Sequence, residues 1–226
     1  MPKQDTSLFS GHRERLRQKF LDNKLADYEI LELLLSYAIP RKDVRVLSRT
    51  LLNKFGGMYQ MLSAPLEELM TVPETGKNTA IFLKTIQQIM LCGFRSSMSK
   101  TPVFHNQEMF ENYCKLMIGS NPIEEMHILY LDASHRLLKD ELHSSGTTDW
   151  TALIPREVLR NAMELRAKSV VLVHNHPTPN TSFSEQDVMI TQEMQQTLNS
   201  VQISLYDHYV VSGDILYSMR NMFLLK

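Results

Sequence analysis

The sequence predicts a two-domain α/β protein: an all-helical domain over residues 1–95, a linker at 96–103, and an α/β domain over 104–226. Three observations predict it. Up to Leu91 the apolar residues recur at helical spacing between glycine and proline breaks. Beyond residue 102, short apolar runs of strand character alternate with helical ones. The charge also changes sign: residues 1–100 carry 15 Lys/Arg against 10 Asp/Glu, and residues 101–226 carry 9 against 15, within a net charge of −1. Halves of opposite sign suggest two domains with different partners.

The elements follow in order. His12–Asn23 reads as a charged helix, and Asp27 as the cap of a helix Tyr28–Ile39 whose Ile30, Leu31, Leu33, Leu34 and Leu35 bury one face. Pro40 ends it. Val44–Phe55 is helical, stopped by Gly56-Gly57, and a short helix begins at Pro65. Val72–Lys77 is a tight turn into a helix Asn78–Leu91, which Gly93 ends. The polar stretch Arg95–Pro102 reads as the linker. Gln107–Ile118 is a helix with Phe110, Cys114 and Met117 on one face, and Gly119 stops it. Strands Met126–Asp132 and Leu137–His143 are joined by a turn at Ala133–Arg136. A helix from Pro155 through Leu165 leads to a strand Ser169–Val173. A helix from Glu185 to around Leu198 precedes strands Gln202–Val211 and Ile215–Met219.

Composition excludes several classes. Cys92 and Cys114 are the only cysteines, both on apolar helix faces, so no disulfide framework is expected and a reducing cytoplasm is the expected setting. The N-terminal residues show no apolar signal-peptide core, and no apolar run reaches the roughly 18 residues of a membrane span, so no membrane partner is expected. The basic N-terminal half could meet nucleic acid, although an excess of +5 over 100 residues is mild.

The chemistry concentrates in Val170–Asp187, VVLVHNHPTPNTSFSEQD. His174 and His176 stand two apart at the end of an apolar strand, so both imidazoles face one side. Ser184-Glu185-Gln186-Asp187 reads as a helix start that returns a carboxylate to them. Two His and one Asp leave zinc an open position, as a catalytic rather than a structural site requires, although these donors also suit other divalent ions. Each piece has an ordinary structural alternative: a lone strand-end histidine is usually just a satisfied polar group, and Ser184 with Asp187 is also a capping box. Taken together at the end of one strand, they favour a metal centre. Hydrolysis also needs a carboxylate near the metal but not bound to it, and Glu124 or Glu125, at the start of the Met126–Asp132 strand, is the candidate. Ser184 lies in no GxSxG elbow, so it is not placed as a nucleophile; its hydroxyl could instead donate to an oxyanion. His127 and His208, lone strand histidines, read as structural.

His174-Asn175-His176-Pro177, six further residues and Ser184-x-x-Asp187 resemble the JAMM motif of MPN/JAB-domain metalloproteases, and the HNHP form resembles the RadC family. The likeness extends to the Glu124–Asp132 segment, Ile154–Val158, Asp207-His208, and the LxxxFGG (Leu51–Gly57) and VPETG (Val72–Gly76) stretches. The resemblance implies a JAB/MPN α-β-α domain with a mixed sheet, preceded by a helix-hairpin-helix-like domain. It implies one Zn2+ per chain held by His174, His176 and Asp187, with Ser184 helping to bind the oxyanion. Glu124, eight residues before Asp132, is the implied general acid/base, with Glu125 the second choice. The implied activity is cleavage of a peptide or isopeptide bond in a protein or peptide substrate. The alternative is a DNA-associated protein acting in repair or recombination without protease activity.

Two departures bear on this. Thr178-Pro179 stands where the family usually has Ser-Gly, which leaves the loop length unchanged but alters its contacts. Glu74-Thr75 stands where helix-hairpin-helix turns usually read Gly-Ile, and a carboxylate there opposes a DNA phosphate bound through residues 1–95. The adjacent letters H-N-H do not imply an HNH nuclease, whose motif residues are spread over a longer hairpin.

Overall fold

A computed structural model describes residues 7–145, 154–178 and 182–225. The chain divides into two compact units, Met1–Ile86 and Gln87–Lys226. The division falls within one helix, and not in the polar stretch 96–103. That helix, α6, spans Lys77–Met98 and so runs through Gly93 and the first residues of the expected linker. The reason is visible in the spacing: Leu91, Phe94 and Met98 continue the apolar period past the glycine, with Leu91 and Met98 buried and Phe94 packed edge-on against Tyr113 at 6.2 Å. A lone glycine costs a helix only about 1 kcal/mol, which such packing offsets.

The N-terminal unit contains α1 (Ser7–Leu21), α2 (Asp27–Ala38), α3 (Arg45–Phe55), α4 (Met58–Ser63), α5 (Leu66–Met70) and the start of α6. Leu16, Leu31, Leu35, Leu47, Leu51, Leu69 and Leu83 are buried. Asp27 is the first helical residue of α2 and not its cap: Ala26 takes that place, its N–H donating to the Glu29 carboxylate at 3.2 Å. Gly56 stops α3 in the left-handed region, at φ +85°. Arg13 ties α1 to the chain leaving α2 by donating to the carbonyls of Pro40 and Lys42.

Glu74 also sits at positive φ, +70°, which explains why glycine would suit that turn. The Thr75 and Gly76 N–H groups are bonded within the turn, to Val72 O at 3.0 Å and Glu74 O at 3.1 Å. The left-handed conformation costs a side-chain-bearing residue about 1–2 kcal/mol, and glycine loses about 0.5–1 kcal/mol in chain entropy. Glu74→Gly is therefore expected to raise the thermal midpoint, by about 1–4 °C, while Glu74→Val lowers it. Circular dichroism melts check this, and a lower midpoint for the glycine variant would refute it.

The C-terminal unit is built on a five-stranded mixed sheet of order β2-β1-β3-β4-β5. The strands are β1 Glu125–Leu131, β2 Leu137–Ser145, β3 Ser169–Asn175, β4 Ser204–Ser212 and β5 Ile215–Ser218. β3 is central, antiparallel to β1 and parallel to β4. All seven of its residues are buried, as expected of a near-continuous apolar run covered on both faces. Helix α7 (Gln107–Ile118) packs on one face, its Phe110 edge-on to Tyr209 of β4 at 5.0 Å. Helices α8 (Pro155–Glu164) and α9 (Glu185–Asn199) cover the other, where Val158, Ala162, Ile190 and Met194 form a core with Met126, Ile128, Val170 and Leu172. The α/β class and the three-layer arrangement thus agree with expectation.

Cys114 is buried as expected, but Cys92 is exposed. On the α7 face, Asp140 of β2 pairs with His127 at 2.8 Å and accepts from the Tyr113 hydroxyl, which accounts for His127 as a structural residue. Burial alone would raise the Asp140 pKa; the His127 and Tyr113 hydrogen bonds and the Arg95 charge more than offset it and hold it below the ordinary value. Among the described residues, no helix is long and apolar enough to cross a membrane.

Candidate metal centre

β3 extends two residues beyond the expected Val173, so His174 is its penultimate residue, paired with Met126. His176 lies just past the strand, but its N–H donates to Val211 O at 2.9 Å, which continues the parallel pairing with β4. Strand alternation therefore holds, and His174 and His176 face the α9 side together. Their Nε2 atoms lie 2.9 Å apart.

Asp187 arrives from the first turn of α9. Ser184 caps that helix: its Oγ accepts from the Asp187 N–H at 3.1 Å, and Asp187 Oδ2 accepts from both the Ser184 N–H and its hydroxyl at 2.7 Å. The capping box and the ligand geometry are therefore one structure, in which the cap aims the carboxylate. Asp187 Oδ1 then points at the histidines, 3.4 Å from His174 Nε2, while Oδ2 is 3.4 Å from His176 Nε2.

These residues fit a metal ion. His174, His176 and Asp187 offer one ligand atom each within 4.8 Å of one another. Tetrahedral zinc with bonds of about 2.0–2.1 Å separates its ligand atoms by about 3.4 Å; His174 Nε2 lies at that distance from Asp187 Oδ1 and His176 Nε2 from Oδ2, while the two Nε2 atoms lie closer together, at 2.9 Å. Asp187 Oδ1 is fully buried without a hydrogen-bond partner, an arrangement that costs free energy unless a cation meets it. Burial would raise the Asp187 pKa, but the neighbouring His176 and His174 and the two Ser184 donors outweigh it and hold the carboxyl well below its usual range. Burial drives the His174 pKa well below its ordinary value, so the ring is the neutral donor a metal requires.

A hydrogen-bonded chain behind His174 sets its tautomer. Thr191 Oγ1 donates to the Asp187 carbonyl, which can only accept, so at 2.6 Å it accepts from His208 Nδ1–H. His208 Nε2 is then the acceptor for His174 Nδ1–H at 2.7 Å, and His174 Nε2 keeps its lone pair on the ligand side. Burial pushes the His208 pKa down to about 4, so it stays neutral near pH 7. His208 is thus more than the lone structural histidine its sequence context suggests. The missing signal was strand adjacency: the pairing Leu172↔His208 places it beside β3, on the His174 face.

Glu124 immediately precedes β1, and its Oε1 lies 4.0 Å from His176 Nε2. Burial raises its pKa, opposed by His176 and assisted by Asp187. Glu125 precedes Met126, whose side chain lies in the α8/α9 core, so alternation turns Glu125 to the opposite face from the histidines. Beyond Pro177, the Thr178 carbonyl accepts from Ser212 Oγ at 3.0 Å, while Pro179 lies outside the described residues.

Fold and site together define a JAB-type domain carrying a His-His-Asp triad able to bind a metal. A family model described as the RadC-like JAB domain matches residues 104–224. A UPF0758 protein of Fusobacterium nucleatum subsp. nucleatum is 34% identical over 218 residues, covering 92% of this chain and 94% of the relative. A UPF0758 protein of Ruegeria pomeroyi is 33% identical over 217 residues, 95% of this chain and 97% of the relative. The chain belongs to the RadC family of JAB-domain proteins.

Proposed function

We propose that this chain is a zinc-dependent hydrolase that cleaves a peptide or isopeptide amide bond. One observation carries the reading: a three-residue donor set containing a buried carboxylate oxygen with no hydrogen-bond partner has a second carboxylate, the partly buried Glu124, beside it. His174, His176 and Asp187 would hold the zinc ion, which would supply Lewis acidity for a water and for the substrate carbonyl. Glu124, whose carboxylate lies 4.0 Å from His176 Nε2, takes the proton from the attacking water and returns it to the leaving amine. Ser184 keeps Asp187 aimed; because its backbone N–H also holds Oδ2, its hydroxyl can turn to donate to the tetrahedral oxyanion. The two free cysteines fit a reducing compartment such as the cytoplasm.

The test is purified zinc-loaded protein against peptidyl-aminomethylcoumarin amides, short peptides and branched lysine isopeptides. Cleavage is expected to disappear with a chelator and return with zinc. Cleavage indifferent to chelation, or none across the panel by stoichiometrically loaded protein, would overturn the proposal.

A further inference from the structure

We propose that Asn175, the residue between the two histidines, is a positioning residue that places Glu124, an inference resting on the reading of Glu124 as the proton carrier. Asn175 is 1% exposed and lies on the opposite face of β3 from His174 and His176. Its carboxamide brackets Glu124 in the chain. Oδ1 accepts from the Glu125 N–H at 2.9 Å, and Nδ2 donates to Ile123 O at 3.1 Å and Asn121 O at 2.9 Å. The partners settle which amide atom is which: an N–H can only donate and the two carbonyls can only accept.

The place of this clamp explains its use. Residue pairing between β1 and β3 ends at Met126↔His174. One residue further, the backbone of Glu125 meets the Asn175 side chain, whose carboxamide carries the donor and acceptor of a peptide group. The side chain therefore extends the sheet's hold by one step and grips the segment on both sides of Glu124, which lies outside the strand. Neighbouring residues of one strand thus divide the work, the histidines on one face and the clamp for the base on the other. A displacement of about 1 Å in a reacting group can cost about 100-fold in rate, so the hold matters to proton transfer. Asparagine alone fits: aspartate would turn an oxygen toward two carbonyls, and alanine would leave all three partners unmatched.

The test uses zinc-loaded full-length Asn175→Ala and Asn175→Asp, the second so that a folded variant remains if the first does not fold. Zinc affinity by chelator competition is expected to stay within about threefold of wild type, since no ligand is touched. Amide exchange at Glu125, followed by NMR, is expected to accelerate at least about tenfold in Asn175→Ala and less in Asn175→Asp, which keeps the acceptor. On a peptidyl-aminomethylcoumarin amide kcat should fall about 10–100-fold with KM little changed. In a Glu124→Gln background the same substitution should cost less than about threefold, because its effect passes through Glu124. Unchanged Glu125 exchange, a full additional loss in the Glu124→Gln background, or zinc loss matching the rate loss would each overturn the proposal. If wild type cleaves nothing, the hydrolase reading fails, and the exchange and zinc arms still judge the clamp.

Discussion

Wild-type protein is expected to take up one zinc ion per chain, and His176→Ala to bind it with at least about 100-fold weaker affinity. Removing a group that merely orients a ligand already costs about 10–100-fold, and removing a ligand costs more. His176 is the better choice for the test than His174. It lies just beyond β3 with 11% of its side chain exposed, whereas His174 is fully buried and bonded to His208. The alanine variant should therefore keep the wild-type far-ultraviolet spectrum, so that zinc loss reports the ligand and not the fold. Metal analysis after dialysis, with competition against a chelator, measures it. Wild-type protein that takes up no zinc would remove the basis of the metal reading.

Glu124→Gln should separate metal binding from chemistry. The substitution keeps shape and hydrogen-bonding capacity but removes the ability to carry a proton. Zinc affinity should stay within about threefold of wild type, because Glu124 is not among the three residues placed to hold the ion. Turnover of any panel substrate should fall about 10²–10⁴-fold, the usual contribution of a general acid/base. Glu125→Gln, on the other face of the sheet, should leave turnover within about threefold. A glutamine variant at position 124 with wild-type kcat would show that protons move by another route.

These outcomes follow from features that were unevenly legible in the sequence. His174 and His176 could be read because a strand repeats every two residues, and Asp187 because the helix start was marked by Ser184 three residues before it. Which of Glu124 and Glu125 faces the histidines was not open to spacing alone. Adjacent residues of a strand face opposite ways, and the phase is set only when Met126 pairs with His174. His208 was hidden for a related reason, since its contact with His174 depends on which strand lies beside β3. Asn175 gave no sign because its partners are backbone atoms some 50 residues away. Gly93 hides the run of α6 past it, because glycine is a weak stop when apolar spacing continues beyond it. Asp27 has the residue type of a cap, although the chain turns one residue earlier.

The alternation along β3 has a consequence for how this chain can diverge. His174 and Asn175 serve opposite faces of one strand, and each depends on the strand's phase. Deleting or inserting a single residue between Ser169 and Val173 would exchange the faces, turning the carboxamide toward Asp187 and the ligand toward Ile123. Under the proposed reading, a length change within the strand would therefore turn the two histidines away from Asp187. The segment between Pro177 and Ser184 lies beyond β3, so substitutions there leave the strand's phase, and with it the facing of His174 and Asn175, unchanged.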